Sequence, residues 1–296
     1  MVTVWAPATS ANLGSGFDVF GLALDRPADV ISVERASETT IDVTGVGSRY
    51  IPEDPAENTV GAVADALGVD AHITIDKGVR PASGLGSSAA SAAGAALALA
   101  ELYDLPHSRR ELIPIAAEGE ALVSGEAHTD NVTPALLGGF TIAAGAADTV
   151  TAIDATIPLV VCLPEIVVST KDARAVLPES ATLEEVVATV GNAGTLVAGM
   201  CRDDPLLVGR GMTDPIVTPA RSQLINGYDA VRQAALNAGA TGVTVSGAGP
   251  SLIATCQPGQ RRAVASAMIA SFDERGIDAR AYQTAIGTGA TVLEDE

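Results

Sequence analysis

The segment from Pro81 to Ser91, PASGLGSSAAS, constrains the fold of this 296-residue chain more than any other stretch. It places glycines and small hydroxyl residues, and no cation, directly before an Ala-rich segment, Ala89–Leu102. The Ala, Leu and Glu residues of that segment predict a helix, and Ser87 or Ser88 stands where its N-cap is expected. The sequence therefore predicts a glycine-rich loop that runs into the N-terminus of a long helix.

Such a loop is suited to binding an anion. A helix N-terminus offers free backbone N–H groups and the positive end of the helix dipole. Gly84 and Gly86 have no Cβ, so the backbone at these positions can turn tightly and approach a bound group closely. We interpret the loop as a phosphate cradle, and a nucleotide is the first candidate for its ligand.

Three other interpretations of the loop stay open. Its small residues could simply cap a packed helix. The Gly84-x-Gly86 spacing also matches the degenerate dinucleotide-binding pattern, although the strand-like segment Ala71–Asp76 ends well before the first glycine. A Walker A loop needs its own lysine, whereas the two lysines of the chain, Lys77 and Lys171, lie outside this loop. A loop without lysine needs a metal ion or dipoles to neutralise phosphate charge.

The charge of the chain limits its partners. It carries 36 acidic and 17 basic residues, for a net charge of −19. Such a surface repels nucleic acid and anionic lipid, so we expect neither nucleic acid nor a membrane as a partner. The acidic, lysine-poor surface and the 47% hydrophobic content together predict a protein of a salt-rich cytoplasm. An ordinary acidic cytosolic enzyme is the alternative.

Cysteine usage and the N-terminus also favour a cytoplasmic protein. Cys162, Cys201 and Cys256 are odd in number and far apart, which argues against a disulfide scaffold or a zinc site. The opening segment MVTVWAPATS lacks the basic and apolar regions of a signal peptide. No apolar run reaches the length of a membrane span.

Strand-like and helix-like segments alternate along the chain, so the predicted class is mixed α and β. The predicted strands are Val2–Ala6, Asp29–Arg35, Ile41–Gly45, Ala71–Asp76, Gly139–Ala144, Leu159–Leu163, Gly242–Ser246, Ser251–Cys256 and Ala279–Thr284. The predicted helices are Asn58–Leu67, Ser88–Leu102, Ser108–Val123, Thr182–Cys201, Ser222–Asn237 and Gln260–Arg275. The small, polar segment Gly145–Thr156 is a candidate connection, which predicts domains at residues 1–150 and 151–296.

Two further segments share the high density of Gly, Ser, Asn and Pro: Pro7–Gly21, PATSANLGSGFDVFG, and Val243–Ser251, VTVSGAGPS. Each alone predicts a tight turn. In this order and spacing, however, the three segments resemble the three signature motifs of the GHMP kinases. Three more segments resemble the homoserine-phosphorylating branch of that family, and they are Gly125–Gly139, Ser169–Arg174 and Pro219–Ile225. The resemblance covers nearly the whole chain.

The resemblance implies an α+β fold of two domains. The N-terminal domain would be of the ribosomal-protein-like type, with a left-handed β-α-β unit that composition cannot reveal. The C-terminal domain would be ferredoxin-like, and ATP and the substrate would meet between the two. The implied reaction is ATP-dependent phosphorylation of the side-chain hydroxyl of L-homoserine to O-phospho-L-homoserine, a step towards threonine. A homodimer is a candidate assembly.

For the nucleotide, the resemblance assigns the ATP phosphates to N–H groups of the loop. It assigns Mg²⁺ to the Ser88 hydroxyl and the Glu120 carboxylate, which are the hard oxygen ligands that this ion prefers. Without the resemblance, Glu120 would be interpreted as a solvated helix carboxylate, like Glu118. The implied nucleotide-binding residues are Pro81, Ala82, Ser83, Gly84, Leu85, Gly86, Ser87, Ser88, Ala89, Ala90 and Ser91 in the loop, with Asn58 near the base.

For homoserine, the resemblance assigns Asn12 and Asp18 to the amino group, Arg174 and Arg221 to the carboxylate, and His128 and Asn131 to the hydroxyl end. A planar guanidinium donates two parallel hydrogen bonds to a carboxylate, so this set suits an α-amino acid zwitterion. From the residues alone, the alternatives are surface ion pairs for the arginines and a structural role for the histidine.

Catalysis is assigned to Thr170, Asn131 and Glu120, with Thr170 near the transferred phosphate. Several relatives use an aspartate base where this chain has Asn131, whose amide cannot accept the hydroxyl proton. Asp130 is adjacent, and neighbours on a chain are expected to point apart. We therefore predict direct in-line transfer without a strong protein base, through positioning and electrostatic stabilisation.

Three rival functions remain at this point. Another kinase of the family could act on shikimate or mevalonate, but these substrates have no ammonium group to pair with Asp18. A nucleotide-binding protein without turnover could dispense with Glu120 and Thr170, and both are present. A dinucleotide-dependent oxidoreductase would bind NADH, which we do not expect.

Overall fold

The computed structural model describes residues 1–124, 129–144 and 149–294. Its strands are β1 Val2–Ala11, β2 Phe20–Arg35, β3 Thr40–Gly45, β4 Ala71–Lys77, β5 Phe140–Ala143, β6 Val150–Ile153, β7 Leu159–Pro164, β8 Ala240–Val245, β9 Leu252–Cys256, β10 Ala279–Thr284 and β11 Thr291–Leu293. Its α-helices are α1 Thr59–Leu67, α2 Ser87–Leu102, α3 Leu112–Ser124, α4 Thr129–Leu137, α5 Thr170–Ala175, α6 Leu183–Met200, α7 Pro205–Gly211, α8 Val217–Ser222, α9 Tyr228–Asn237 and α10 Arg261–Asp273.

The first sheet carries the glycine-rich loop. Its strands run in the order β11-β1-β2-β4-β3, with β5 paired to β2 and β6 paired to β5. All pairs are antiparallel except β3–β4, which is parallel and is connected by α1. The Ala-rich helix α2 packs on this sheet, where a Cβ at Gly94 would lie 2.6 Å from Ile31 Cγ1 and 3.0 Å from Ala6 Cβ. The small residues of α2 therefore let the helix lie close against the strands.

The second sheet has the strand order β10-β7-β9-β8 and is antiparallel throughout. With α9 before β8 and α10 before β10, this order is that of a split β-α-β fold, and it confirms the predicted ferredoxin-like half. A separate apolar core of this half includes Cys162, Cys256 and Phe272. Burial raises the pKa of the Cys162 thiol to about 12, so it stays protonated and inert.

The two halves share a further apolar cluster. It contains Leu13, Phe20 and Leu22 from the first sheet and its loop, together with Leu159 and Ile253 from the second sheet. The chain also returns at its C-terminal end to the first sheet, since β11 pairs with β1, while β6 at residues 150–153 extends that same sheet. The division into domains at residues 1–150 and 151–296 stays a prediction.

The predicted strands all occur, but several boundaries differ. β1 continues to Ala11 and β2 begins at Phe20, because the two strands form one long hairpin around the first glycine-rich segment. The single helix predicted over Ser222–Asn237 is wrong: α8 ends at Ser222 and α9 begins at Tyr228, after Gly227 with a φ of 90°. Four short helices, α4, α5, α7 and α8, were not predicted, and the predicted Ser222–Asn237 shares only Ser222 with α8. Among the described residues, no helix combines the length and apolar character that crossing a bilayer requires.

Candidate functional site

A cavity of about 760 Å³ opens between the two halves. Most of the predicted site residues line it. These are Asn12, Asp18, Asn58, Pro81, Ala82, Ser83, Gly84, Gly86, Ser87, Ser88, Ser91, Glu120, Asn131, Thr170, Arg174 and Arg221. His128 lies outside the described residues. Residues that the resemblance implied, spread over more than 200 positions, therefore line one continuous cavity, and their individual roles stay predictions.

The glycine-rich loop ends at an N-terminus that no side chain caps. Helix α2 begins at Ser87, and its N-cap is Gly86, in the left-handed region with a φ of 60°. The prediction of Ser87 or Ser88 as N-cap is wrong, because the Ser87 hydroxyl donates instead to the Val79 carbonyl at 2.8 Å. The first amides of α2 are thus left without a capping oxygen, beside the cavity, where an anion can accept from them.

The three glycine-rich segments meet at this loop. Thr9 N–H in the first segment donates to the Leu85 carbonyl at 3.0 Å. The Ser246 hydroxyl in the third segment donates to the Gly84 carbonyl at 2.8 Å. A Cβ at Gly84 would lie 2.6 Å from the Gly249 oxygen, and one at Gly86 would lie 1.9 Å from Thr9 Oγ1. Glycine is therefore required here by close packing as well as by a positive φ.

Glu120 and Ser88 face each other across the loop. Glu120, in α3, is 5% exposed and lines the cavity together with Ser88. Burial raises the pKa of Glu120, while a hydrogen bond with Ser88 and the charge of Lys77 lower it. Among the described residues, no cluster of three or more His, Cys, Asp or Glu side chains could hold a metal by itself. A carboxylate and a hydroxyl nevertheless fit a hard cation that takes its remaining ligands from phosphate and water.

The other end of the cavity is built from charged side chains. Arg174 in α5 forms two hydrogen bonds with the Asp18 carboxylate, at 2.8 and 3.2 Å. Arg221 in α8 is 4% exposed, and its Nη1 donates to the Gly247 carbonyl at 2.8 Å. Both guanidinium groups lie about 5 Å from the ring of Phe17, within cation–π range. The aromatic ring thus holds two arginines side by side, an arrangement that suits an anionic ligand.

The expectation that Asp130 points away from its neighbour is wrong. Asp130 and Asn131 lie in the first turn of α4, both line the cavity, and Asn131 Nδ2 donates to Asp130 Oδ1 at 3.3 Å. Neighbours on a helix diverge by only about 100°, so two adjacent side chains can reach one cavity. Burial, with the negative charges of Asp18 and Glu120, raises the pKa of Asp130 to about 7. Sequence reasoning set this residue aside because it assigned no helix to the segment and expected neighbouring side chains to point apart.

Some of the predicted ligand-binding residues have side chains that are buried in an apolar core or hydrogen-bonded within the protein. Leu85, Ala89 and Ala90 are buried in the apolar cores, so only their backbone could contact a nucleotide. Asn58 caps α1 by accepting from Val60 N–H at 3.0 Å. The amide of Asn12 donates to the Gly247 carbonyl at 3.0 Å and accepts from Asp18 N–H at 3.0 Å. The ligand roles of these residues stay predictions.

Two further predicted residues, Thr170 and Asn131, lie between the phosphate end and the charged end of the cavity. Thr170 opens α5 and is exposed towards the cavity. Asn131 Oδ1 accepts from Thr9 Oγ1 at 2.7 Å, which fixes the amide beside the glycine-rich loop. Both residues therefore lie where a group bound at the loop would approach one bound between the arginines.

Two family models match the chain. "GHMP kinases N terminal domain" covers residues 56–139, which include the glycine-rich loop, and "GHMP kinases C terminal" covers residues 196–274. The first match contains Glu120 and Asn131, and the second contains Arg221 and the turn at Gly247. The two matches thus fall on the two walls of the cavity.

The chain is also similar to proteins over its full length. It is 68% identical to a homoserine kinase of Halorubrum lacusprofundi, over 100% of both chains. It is 70% identical to a homoserine kinase of Natronomonas pharaonis, over 99% of this chain and 100% of the other. A crystal structure of homoserine kinase from Cytophaga hutchinsonii has a TM-score of 0.88 and 38% identity, over 99% of this chain and 97% of that one. The first two sources are haloarchaea, which fits the salt-adapted composition.

Proposed function

The chain belongs to the GHMP kinase family, and we propose that it is a homoserine kinase, which transfers the γ-phosphoryl group of ATP to the side-chain hydroxyl of L-homoserine. One observation carries this proposal. A single cavity joins the uncapped N-terminus of α2, which suits phosphate, to paired arginines and carboxylates, which suit an amino acid zwitterion. The product would be O-phospho-L-homoserine, an intermediate towards threonine.

Homoserine binding follows from the charges at the amino acid end. Arg174 and Arg221 would hold the carboxylate, with Arg221 anchored to backbone and Arg174 able to change partner. Asp18 and Asp130 would receive the ammonium group. The Asp18–Arg174 ion pair, whose side chains are 40% and 29% exposed, is a pairing that the zwitterion can replace charge for charge.

Mevalonate and shikimate suit this end less well than homoserine does. Both have a carboxylate for the arginines, but neither carries an ammonium group. Each would leave Asp18 and the buried Asp130 without the positive charge that a zwitterion supplies. An unpaired buried carboxylate costs binding energy, which favours an amino acid substrate.

At the phosphate end, the N–H groups of Ser87 and Ser88 at the start of α2 would donate hydrogen bonds to the ATP phosphates. Ser88 and Glu120 would hold Mg²⁺, which when bound to ATP neutralises charge on the bridging phosphates. Asn58 and the loop residues from Pro81 to Ser91 would contact the rest of the nucleotide. The ion would thereby supply the positive charge that a loop without lysine lacks.

We propose that the transfer itself is direct and in line. Thr170 and Asn131 would hold the reacting hydroxyl and the γ-phosphoryl group in position. Neither an amide nor a threonine hydroxyl is a base at neutral pH. Asp130 is engaged with the ammonium group in this proposal, so the hydroxyl proton would pass to an oxygen of the transferred phosphoryl group as the new O–P bond forms and the bond to ADP breaks, which a loose transition state allows. Positioning and electrostatics would then supply most of the rate.

The setting of the enzyme belongs to the same proposal. An acidic chain of this kind would work in a salt-rich cytoplasm, without nucleic acid or membrane as a partner. A homodimer is the proposed assembly. Sedimentation equilibrium in molar KCl would test it, and a single species of monomer mass would contradict it.

A coupled assay of ADP release tests the proposed function. The purified chain, ATP and Mg²⁺ would be mixed with L-homoserine, mevalonate or shikimate in turn. We expect turnover with homoserine and a kcat/KM at least about a hundredfold lower with the two substrates that lack an ammonium group. Equal turnover with mevalonate would contradict the proposal, and so would ATP binding without turnover of any of the three.

A further inference from the structure

Two buried charges have no place in the site described so far. Lys77 ends β4 and Asp29 lies in β2, and their side chains, 1% and 0% exposed, form an ion pair. Removing two charges from water is costly, so a buried pair is weak evidence of a purely stabilising role. Among the described residues, Lys77 lines the cavity and Asp29 does not. The positive end of the pair therefore faces the cavity.

The pair ties together both ends of the glycine-rich loop. At its start, Asp29 Oδ1 accepts the N–H groups of Gly78, at 3.0 Å, and Val79, at 2.9 Å. At its end, the Lys77 ammonium donates to the Ser87 carbonyl at 2.8 Å. The loop thus leaves the first sheet and enters α2 at points that one ion pair holds together.

A hydroxyl joins the two partners. Ser91 Oγ donates to Asp29 Oδ2 at 2.9 Å and accepts from the Lys77 ammonium at 2.9 Å. We call Asp29, Lys77, Ser87 and Ser91 the loop clasp. All three donors of the ammonium are used within it, so Lys77 acts on a ligand through position and charge rather than by direct contact.

The place of this cation is unusual for a helix. Cations stabilise the C-terminal end of a helix, whereas Lys77 lies at the first turn of α2, beside the positive end of its dipole. Burial also lowers the pKa of Lys77, against the opposing effect of Asp29. Neither the helix dipole nor burial favours a charged lysine here without a ligand, but the ammonium group that Asp29 holds adds positive potential where a polyanion would bind.

We propose that Lys77, held by Asp29, is a positioning residue for the nucleotide phosphates: it fixes the first turn of α2 and places a positive charge behind the amides of that turn. The inference rests on the proposed function. It explains how a loop without its own lysine can bind a triphosphate, since a lysine from the neighbouring strand lies beneath it. Its effect should grow with the number of phosphates on the ligand.

The test variant is Lys77→Met combined with Asp29→Asn, because a single change would leave one buried charge without its partner. Asparagine keeps an acceptor for the N–H groups of Gly78 and Val79. Arg275→Met is the matched control, since Arg275 also donates to a helix carbonyl, that of Ser271, but lies outside the cavity lining. Both proteins would be studied as full chains in molar KCl.

Isothermal titration with adenosine, AMP, ADP and ATP is the decisive measurement. For the double variant we expect adenosine affinity to be unchanged, and ATP affinity to fall by about tenfold, with AMP and ADP in between. The KM for ATP should rise by a similar factor while the KM for homoserine changes by less than about twofold. The control should match the unaltered protein for all four ligands.

A uniform loss across the four ligands would mean that the clasp is only structural and would overturn the proposal, as would no loss at all. If the double variant does not fold, Ser91→Ala decides, because it removes one hydroxyl of the clasp and keeps the ion pair. It should lower the affinity for ATP by about threefold and leave the affinity for adenosine unchanged. Any other pattern of affinities counts against the proposal. An unaltered protein that binds none of the adenine compounds would contradict the proposed function instead.

Discussion

The two ends of the cavity are built in different ways. The phosphate end consists of backbone: glycines in left-handed conformations, the uncapped amides of α2, and one carboxylate, Glu120. The amino acid end consists of side chains: Arg174 and Arg221 both lie against the ring of Phe17, and Asp18 is paired with Arg174. Backbone amides present a fixed geometry that any phosphate can use, whereas paired charges select a zwitterion. In the proposed function, phosphate binding and substrate selection would therefore depend on different parts of the cavity.

Mutation of the carboxylate at the phosphate end should have the largest effect. We expect Glu120→Gln to lower kcat by about a thousandfold, because the amide is a poor ligand for the cation that neutralises phosphate charge. The melting temperature should change little, since the two side chains have the same shape. Steady-state kinetics over a range of Mg²⁺ concentrations would measure this.

Glu118→Gln is the matched control, because Glu118 lies in the same helix and is exposed. It should be indistinguishable from the unaltered enzyme. If the two variants behaved alike, the phosphate end would not depend on a carboxylate and the comparison between the two ends would fail.

At the amino acid end, Arg221→Ala should raise the KM for homoserine by about a hundredfold, because it removes a buried, anchored guanidinium from the carboxylate site. The KM for ATP should stay within about threefold. Arg221→Lys should recover only part of the loss, since an ammonium cannot form two parallel hydrogen bonds. Arg210→Ala, an exposed change outside the cavity lining, is the control. Equal rises in both KM values would show that the two ends are not separate.

The close packing of the loop can be tested with Gly86→Ala. The new Cβ would lie 1.9 Å from Thr9 Oγ1, at a φ of 60°. We expect a loss of about 3 kcal/mol in the free energy of unfolding, from backbone strain and overpacking combined. The KM for ATP should rise more than that for homoserine.

Gly68→Ala separates those two causes. Gly68 has a similar φ of 67°, but a Cβ there would meet nothing within 4 Å. Its cost should be that of the backbone alone, about 1 kcal/mol. Chemical denaturation of both variants would give the difference between their losses in the free energy of unfolding. Equal losses would mean that the loop can accommodate a Cβ at Gly86 without overpacking.

The pKa of Asp130, raised to about 7 by burial and by Asp18 and Glu120, predicts a pH dependence of homoserine binding. Below that pKa the carboxyl is neutral and cannot pair with an ammonium group. The kcat/KM for homoserine should therefore fall by up to about tenfold for each pH unit below 7. The profile would be measured between about pH 5.5 and 8.5.

Asp130→Asn distinguishes an ammonium ligand from a catalytic base. If Asp130 binds the ammonium group, the variant has a raised KM for homoserine, a nearly normal kcat, and no acid limb near its former pKa. A collapse of kcat with an unchanged KM would instead make Asp130 the base, and it would contradict the proposed transfer without one.

Salt concentration should affect the stability of this highly charged protein more than it affects binding at either end of the cavity. The net charge of −19 predicts that the melting temperature rises by about 10 °C between low and molar KCl, as screening relieves repulsion. The KM values for ATP and homoserine should change by less than about threefold over the range in which the chain is folded. A melting temperature that does not change with salt concentration would count against adaptation to a salt-rich cytoplasm.

The contrast between the two ends also shows what the sequence could predict. The loop before α2 was predictable because glycines, small hydroxyls and an Ala-rich run are local signals. Asp18, Arg174 and Arg221 carry no local signal, and only their resemblance to family motifs brought them together. Asp130 was missed because its segment contains Pro134 and was not predicted as a helix, so the direction of its side chain was misjudged.

The loop clasp could not have been predicted at all. Lys77 and Asp29 are 48 positions apart, and their contact depends on how β2, β4 and α2 pack in three dimensions. The same holds for the N-cap of α2, where the preference of Ser87 for the Val79 carbonyl overrides its usual capping role. Hydrogen bonds to groups outside helix α2 decided both cases.

A crystal structure with a non-hydrolysable ATP analogue, Mg²⁺ and L-homoserine would test the separation of the two ends most directly. The account predicts the triphosphate against the amides of Ser87 and Ser88, the homoserine carboxylate between Arg174 and Arg221, and the Asp18–Arg174 ion pair opened by the ammonium group. A triphosphate bound away from the N-terminus of α2, or homoserine bound with that ion pair intact, would contradict it.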